Sequence, residues 1–230
     1  MKRFLTLWLV LVCTAKMALA TNYAHVFGAD WNEAMKYVQA NRCQWKPTFD
    51  TFDIDCHLAE AIVFPELIRY SRWKDQIEQA AVTGLYVHGG KEKADFSIGR
   101  FQMKPSFAEQ VESDWNASDF ATEYGFSFDT RKNSDARRQR VKRLTDETWQ
   151  YRYLALFVCL QIKRHPELKS ASKEKQVKLL STAYNRSYTA TTAQLQRMAQ
   201  QRHFHTDIIA TRNTQRYRYA DIAWQYYRQP

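Results

Sequence analysis

Apolar residues recur at helical spacing along most of the chain, and long stretches contain neither glycine nor proline. This pattern predicts helices over residues 31–39, 56–69, 75–87, 149–162 and 173–184, and two polar-faced helices within 191–230. Another helix is expected to begin at Pro105, because proline fits the first turn of a helix. The chain is therefore predicted to be mainly α, with little or no β structure.

Two polar stretches interrupt the predicted helices. Residues 41–55 contain Pro47 and show no clear period, so a loop is expected there. Residues 124–146 are polar and strongly basic, which indicates an exposed arm or a solvated helix between two halves of the fold. The predicted organisation is an N-terminal helix and loop over 21–55, a core over 56–190, and C-terminal helices packed on the core over 191–230.

The first residues have the pattern of a secretory signal peptide. Lys2 and Arg3 precede an apolar run from 4 to 13, and Ala18-Leu19-Ala20 is typical of a cleavage site. The apolar run is shorter than a membrane-spanning helix requires, and a retained anchor helix is the alternative. We expect residues 1–20 to be removed and the protein to be exported, to the periplasm or the cell envelope.

Export affects how the charge is interpreted. The formal net charge of +10 becomes +7 when Lys2, Arg3 and Lys16 are removed with the signal peptide. A positive charge favours an anionic cell-wall or membrane surface as partner, and simple solubility is the alternative. A nucleic-acid partner is not expected for an exported protein.

The cysteines also depend on the compartment, because disulfides persist in oxidising environments. Cys43 and Cys56 lie in polar sequence and are the candidate disulfide pair. Cys159 lies inside an apolar helix and is expected to be a buried thiol.

Glu66 is a carboxylic acid within an apolar helix. Pro65 directly before it cannot donate a backbone hydrogen bond, so we expect the helix to kink or end near Phe64 and Glu66 to face a cleft. Apolar surroundings raise the pKa of a carboxyl group, as a general acid that cleaves a glycosidic bond requires. A structural ion pair with Arg69 or Arg72 is the alternative.

Three motifs resemble those of lysozyme-like proteins, specifically lytic transglycosylases and goose-type lysozyme-like muramidases. GRFQMKPSFA, residues 99–108, resembles the signature G-L-M-Q-I-M-P-x-T-A, and AIVFPE is similar to the helix that ends in the catalytic glutamate, which aligns with Glu66. STAYNRS resembles A-Y-N-A-G and contains Tyr184 and Asn185. The motifs occur in the family's order over residues 56–188, and the resemblance implies a lysozyme-like helical domain with a glycan-binding cleft.

The resemblance also implies roles for individual residues. Glu66 would protonate the glycosidic oxygen, and Tyr184 would donate a hydrogen bond to Glu66 and hold it in place. Phe101, Gln102 and Met103 would line the glycan groove, and Asn185 would also bind the substrate. Gly99 would let the backbone approach the sugar closely.

The mechanism depends on whether a second carboxylate assists. Asp95 is the first candidate and Glu78 the second. Without either, the substrate's own N-acetyl or 6-hydroxyl group would act as internal nucleophile, and Glu66 would serve first as acid and then as base. The motifs favour this single-acid chemistry.

The sequence thus predicts a monomeric enzyme that cleaves the MurNAc-GlcNAc strands of peptidoglycan. It contains no HExxH, paired CxxC or GxSxG motif, and neither a metal nor a cofactor is expected. Leu67 stands where the family usually has serine, which favours the alternative of a non-catalytic cell-wall-binding or structural protein that retains the groove. Chitin or another N-acetylated polymer is an alternative substrate.

Overall fold

A computed structural model of the chain describes residues 21–73 and 79–229, and for residues 72–73 and 79–82 it describes the backbone alone. The predicted signal peptide and Glu78 lie outside the described residues. The described chain is mainly helical, which confirms the predicted class. Its only strand-like pairings are two isolated bridges, Ile98 with Met103 and Phe204 with Tyr217.

The helices are joined by connections of very different lengths, and the longest, residues 90–104 and 200–218, precede α5 and α11. Their bounds are α1 Tyr23–Phe27, α2 Ala29–Thr51, α3 Cys56–Trp73, α4 Gln79–Gly89, α5 Pro105–Asn116, α6 Phe120–Glu123, α7 Ser134–Thr145, α8 Glu147–Arg164, a 3₁₀ turn Pro166–Leu168, α9 Lys173–Asn185, α10 Thr192–Ala199 and α11 Tyr219–Tyr227. None of the described helices is both long and apolar enough to cross a membrane.

Helix α3 lies at the centre of the main core, with α2, α9 and α11 packed around it. Every residue from Leu58 to Ile68 is buried, as expected for a helix that is apolar on nearly all sides. The expectation that Pro65 could end this helix is wrong, because α3 continues through Pro65 to Trp73. The surrounding contacts compensate for the backbone hydrogen bond that proline cannot make.

The predicted loop over residues 41–55 is also wrong. Helix α2 extends through Pro47 to Thr51, and its buried face includes Val38, Trp45 and Phe49. These positions keep helical spacing on both sides of the proline, so burial of two large aromatic side chains outweighs the lost backbone hydrogen bond.

Local signals set the ends of the other long helices. Pro105 is at the first position of α5, as predicted. Helix α8 begins where the Asp146 side chain accepts a hydrogen bond from the Trp149 amide, and Ser172 caps α9 in the same way. The helices predicted over 149–162 and 173–184 are thereby confirmed as α8 and α9.

The basic stretch over 124–146 is neither an arm nor fully solvated. Its helix, α7, directs Arg140 and Arg143 inward to the buried carboxylate of Glu112, with Arg140 Nη2 2.5 Å and Arg143 Nη2 2.7 Å from its oxygens. The Tyr153 hydroxyl also donates to Glu112. This charge cluster joins α5, α7 and α8.

The candidate disulfide between Cys43 and Cys56 is not formed, because both cysteines are free thiols. Cys43 is exposed on α2, which occupies most of the segment that the bridge was expected to close. Cys56 Sγ lies 3.6 Å from Glu60 Oε1, and burial raises the pKa of this thiol to about 12. Cys159 is half-buried rather than fully buried.

Candidate active site

Glu66 lies in the middle of α3 with 3% of its surface exposed. Arg69, one turn later, donates from Nη1 to Glu66 Oε2 at 3.0 Å. Asn185, at the end of α9, donates from Nδ2 to Glu66 Oε1 at 3.2 Å. Each carboxylate oxygen therefore has one charged or amide partner, and the Arg69 ion pair raised as an alternative is present.

Tyr184 does not make the expected hydrogen bond to Glu66. Its hydroxyl donates instead to the backbone carbonyl of Phe101 at 2.6 Å. Burial raises the pKa of Tyr184 well above its ordinary value, and the negative charge of Glu66 contributes to the rise, so the two groups are neighbours. Tyr184 thus fixes the segment after Gly99 against the helix that carries Asn185.

Gly99 allows a tight turn, and the Gln150 side chain, not an open space for a sugar, lies next to its backbone. Its φ of +67° favours glycine, and a Cβ atom there would lie 1.5 Å from Gln150 Nε2. The buried Gln150 side chain accepts from the Phe101 amide at 3.0 Å and donates to the Leu144 carbonyl at 2.6 Å. Close packing against Gln150 is therefore the physical reason for glycine at this position.

Two of the predicted groove residues belong to the core. Phe101 is 0% and Met103 1% exposed, and the Phe101 ring packs against Trp45 and Tyr151. The interpretation of these two side chains as groove lining is corrected, because neither has a surface that a glycan could contact. Both hold the turn in place through apolar burial.

Gln102 is the polar member of this turn. It has a positive φ of 52° and is 7% exposed, and its Nε2 donates to the Gly99 carbonyl at 2.9 Å. Among the described residues, neither Gln102 Oε1 nor Asn185 Oδ1 has a hydrogen-bond partner, although both atoms are buried. Buried acceptors of this kind can serve a ligand or a protonated carboxyl group.

Asp95 is engaged elsewhere. Its two carboxylate oxygens accept from the Ser106 amide at 2.9 Å and from the Ser106 hydroxyl at 2.8 Å, at the start of α5. Carboxylates at this place stabilise a helix through its unpaired amides and its dipole. No contact between Asp95 and Glu66 is found in the described part of the chain, so the candidate second carboxylate serves instead as a helix cap.

Glu66 differs in its electrostatics from Glu60, a second buried glutamate on the same helix. Burial raises the pKa of Glu66, and the opposing effects of Arg69, Asn185, Tyr219 and Lys104 do not cancel the rise. Burial also acts on Glu60, but hydrogen bonds from His57, Arg42 and Tyr226 outweigh it and lower the pKa. Of the two buried glutamates on α3, only Glu66 therefore tends to keep its proton.

Access to the carboxylate is narrow. A depression with a volume of about 10 Å³ is lined by its neighbours Asn185 and Tyr219, together with Phe204. Ligand cavities usually measure several hundred Å³. This depression is far too small to hold a sugar.

The C-terminal segment contributes residues that the sequence analysis did not identify. Arg69 Nε donates to the His205 carbonyl at 3.1 Å, and its guanidinium lies 4.4 Å from the centre of the Phe204 ring. Tyr219 donates to the Ile62 carbonyl at 3.0 Å, beside Glu66. Of these residues, only Tyr219 stood out in the sequence, because it begins an apolar helix. The sequence did not indicate which residue Tyr219 contacts.

No group of three or more histidine, cysteine, aspartate or glutamate side chains suited to a metal ion occurs within the described residues. His57 is instead bonded to Glu60 and to the Tyr227 carbonyl.

Comparison with known proteins adds no relative to this description. The chain matches no protein-family model, no curated protein and no solved structure.

Proposed function

We propose that this protein is an exported glycosidase that cleaves the MurNAc-GlcNAc strands of peptidoglycan, with Glu66 as its single general acid and base. The proposed domain is lysozyme-like, and its glycan groove runs past the Glu66 carboxyl group. The protein acts as a monomer on the cell-envelope side of the membrane.

The observation that carries the proposal is the meeting of the three motif segments. Asn185 binds Glu66 across 119 positions of sequence, and Tyr184 binds the Phe101 carbonyl across 83. AIVFPE, GRFQMKPSFA and STAYNRS are thus joined by two hydrogen bonds within one neighbourhood. A buried carboxyl group whose pKa is raised, held by an amide from a distant motif, supports a catalytic role.

The proposed reaction uses one carboxyl group twice. Protonated Glu66 gives its proton to the glycosidic oxygen as the bond from that oxygen to C1 breaks. The substrate's 6-hydroxyl oxygen then forms a bond to C1, and its proton returns to the Glu66 carboxylate, leaving an anhydro sugar end. Asp95 is occupied by Ser106, which favours this route over one that needs a second carboxylate.

Glycan access in this mechanism requires movement of the groups that cover Glu66. Arg69 is the principal one, because it holds Oε2 while also binding the His205 carbonyl. Its side chain is 15% exposed, so it can turn toward solvent without crossing the core. Release of Arg69 also removes the positive charge that lowers the pKa of Glu66.

A second candidate is a cell-wall-binding or structural protein without catalysis. The Glu66–Arg69 ion pair and the small depression beside it favour this candidate, because a permanently paired and covered carboxylate cannot donate a proton. Leu67, where the related motif usually has serine, agrees with it.

Incubation of the purified chain with isolated peptidoglycan, followed by mass spectrometry of the soluble fraction, separates the two candidates. The proposed activity predicts muropeptides with anhydro ends, whereas a hydrolase would release reducing ends. The same assay with chitin tests the alternative substrate. Binding to the insoluble wall without release of any fragment from either polymer would contradict the enzymatic proposal and support the second candidate.

A further inference from the structure

A larger cavity lies between α4, α5 and α7, away from Glu66. Its volume is about 400 Å³, and its lining contains five cationic side chains, Lys91, Arg131, Lys132, Arg137 and Arg140. Glu92 and Glu109 are the acidic residues of the lining, which thus carries three more positive than negative charges. None of these residues contacts Glu66.

Part of this charge is neutralised by neighbouring carboxylates. Lys91 Nζ lies 3.4 Å from Glu109 Oε2, and Tyr86 donates to Glu109 Oε1 at 2.9 Å. Arg140, which is 3% exposed, is paired with Glu112 at 2.5 Å. In this wall of the cavity, the positive and negative charges are therefore paired with one another.

Arg131 is paired with Asp129 at 2.8 Å, so among the described residues Arg137 and Lys132 are the cations of the lining without a carboxylate partner, and the unpaired carboxylate of Glu92 leaves them with one net positive charge. The Arg137 guanidinium donates to the carbonyls of Val87 at 3.3 Å and His88 at 3.2 Å, which are neutral acceptors at the end of α4. The Lys132 ammonium makes no hydrogen bond or ion pair with any other described residue. Two positive charges therefore face the same cavity with no carboxylate in contact with either, within the part of the chain that the structure describes.

The turn at Gly90, directly after α4, keeps Arg137 in place. Gly90 has a φ of +74°, and a Cβ atom at this position would lie 3.1 Å from Arg137 Nη2. Absence of a side chain lets the guanidinium lie against the backbone, where the two carbonyls fix its plane. A fixed guanidinium loses less entropy when it binds a ligand than a mobile one does.

We propose that this cavity binds an anionic ligand through a phosphate or carboxylate group. Arg137 and Lys132 supply the positive charge, and the hydroxyl groups of Ser113 and Thr130 in the lining supply further donors. Guanidinium, ammonium and hydroxyl groups are the side-chain donors that oxyanions use in proteins. The site goes beyond the proposed glycosidase activity and does not depend on it.

Calorimetric titration of the purified chain with inorganic phosphate, and separately with acetate, tests the proposal at constant ionic strength. We expect saturable binding of at least one of these anions. Lys132→Gln should weaken it about fivefold, because one charge-assisted contact is lost. Lys142→Gln is the matched control, since Lys142 is an exposed lysine on α7, ten positions after Lys132, and does not line the cavity; the affinity of this variant should equal that of the parent.

The outcomes are distinct. Tighter binding of phosphate assigns a phosphate ligand, and tighter binding of acetate assigns a carboxylate ligand. Lack of saturable binding by both anions, or equal weakening in Lys132→Gln and Lys142→Gln, overturns the site. Thermal melting shows that the variants are folded, and Glu66→Gln should bind the anion as the parent does, so failure of the glycosidase proposal leaves this test unaffected.

Discussion

The Asn185 side-chain amide lies 3.2 Å from Glu66 Oε1 and joins the end of α9 to the middle of α3. The amide nitrogen stabilises the charged carboxylate. The Asn185 Oδ1 atom, which is buried and has no partner among the described residues, can accept from the carboxyl group once it is protonated and the amide has rotated. Asn185 is therefore suited to hold Glu66 in both protonation states.

Replacement of Asn185 by alanine should raise the pKa of Glu66. The hydrogen bond from Asn185 lowers that pKa, and loss of about 1 kcal/mol of stabilisation of the carboxylate corresponds to a rise of about 0.7. NMR titration of the Glu66 side-chain carboxyl carbon measures the change. An unchanged pKa in Asn185→Ala would show that the amide does not stabilise the carboxylate in solution.

Replacement of Arg69 by glutamine should destabilise the protein in a pH-dependent manner. At pH 7 the variant leaves a buried carboxylate without its cation, at a cost of about 2 kcal/mol, reduced from a fully buried pair because Arg69 reaches solvent. The pKa of Glu66 is raised in the parent and rises further in the variant. The unfolded state is the same for both proteins, so the loss shrinks as the pH falls through the raised folded pKa values. It should be absent at and below about pH 4.3, where Glu66 is protonated in both folded proteins.

Urea unfolding at pH 7 and at pH 4 measures this effect. The double variant Glu66→Gln with Arg69→Gln is the control, since it removes both charges and should recover most of the lost stability. A destabilisation of Arg69→Gln that is equal at both pH values would contradict the ion pair as its cause.

The sequence indicated Glu66, Asn185 and, as an alternative, the ion pair with Arg69, but not the C-terminal residues that lie against them. The apolar neighbours of Glu66 within α3 indicated burial, and the raised pKa agrees with that interpretation. The contacts of Arg69 with the His205 carbonyl and of Tyr219 with the Ile62 carbonyl depend on how the C-terminal segment crosses α3. Such distant packing leaves no periodic signal in a single sequence.

Replacement of Gly99 by alanine should destabilise the fold by about 2 to 3 kcal/mol, since it combines a positive φ with a collision against Gln150. Gly125→Ala is the matched control. Gly125 has a similar φ of +69°, but no atom lies within 4 Å of a Cβ atom placed there, so only the backbone cost of about 1 kcal/mol is expected. Equal losses in the two variants, measured by chemical denaturation, would exclude close packing on Gln150.

Charge runs and prolines account for the main errors of the sequence interpretation. The basic stretch over 124–146 suggested solvent exposure, but Arg140 is neutralised by Glu112, which lies 28 positions away. Pro47 suggested a loop, although Trp45 and Phe49 continue the buried face of α2. By contrast, α8 was predictable because its apolar residues and its capping Asp146 are local in sequence.

His57 should make stability depend on pH above its unfolded pKa of about 6.5, as the pH rises through its raised folded pKa. Its Nδ1 lies 3.0 Å from Glu60 Oε2 and its Nε2 2.9 Å from the Tyr227 carbonyl, so both ring nitrogens face acceptors and the imidazolium form satisfies both. The hydrogen bond to Glu60, with a smaller effect of the Tyr227 carbonyl, raises the pKa of His57 against the effect of burial. This stabilisation is complete below the unfolded pKa of about 6.5 and is lost as the pH rises through the raised folded pKa.

Comparison of the parent with His57→Gln by urea unfolding tests this dependence. The parent should be more stable than the variant by about 1 kcal/mol at pH 6, and the difference should shrink by pH 8.5. His25→Gln, an exposed histidine in α1, is the control and should follow the parent throughout. A constant difference between parent and His57→Gln across this range would show that the imidazolium form is not what stabilises the fold.

The most direct measurement is the release of muropeptides by Glu66→Gln compared with the parent and with Glu60→Gln. Glu60 is the appropriate control because it is buried on the same helix, and all three proteins should be assayed below their melting temperatures. We predict that Glu66→Gln releases at least about a hundredfold less product than the parent, as expected when a general acid is removed, while Glu60→Gln retains activity. Equal product release by the parent and Glu66→Gln would contradict the assignment of Glu66 as the catalytic acid.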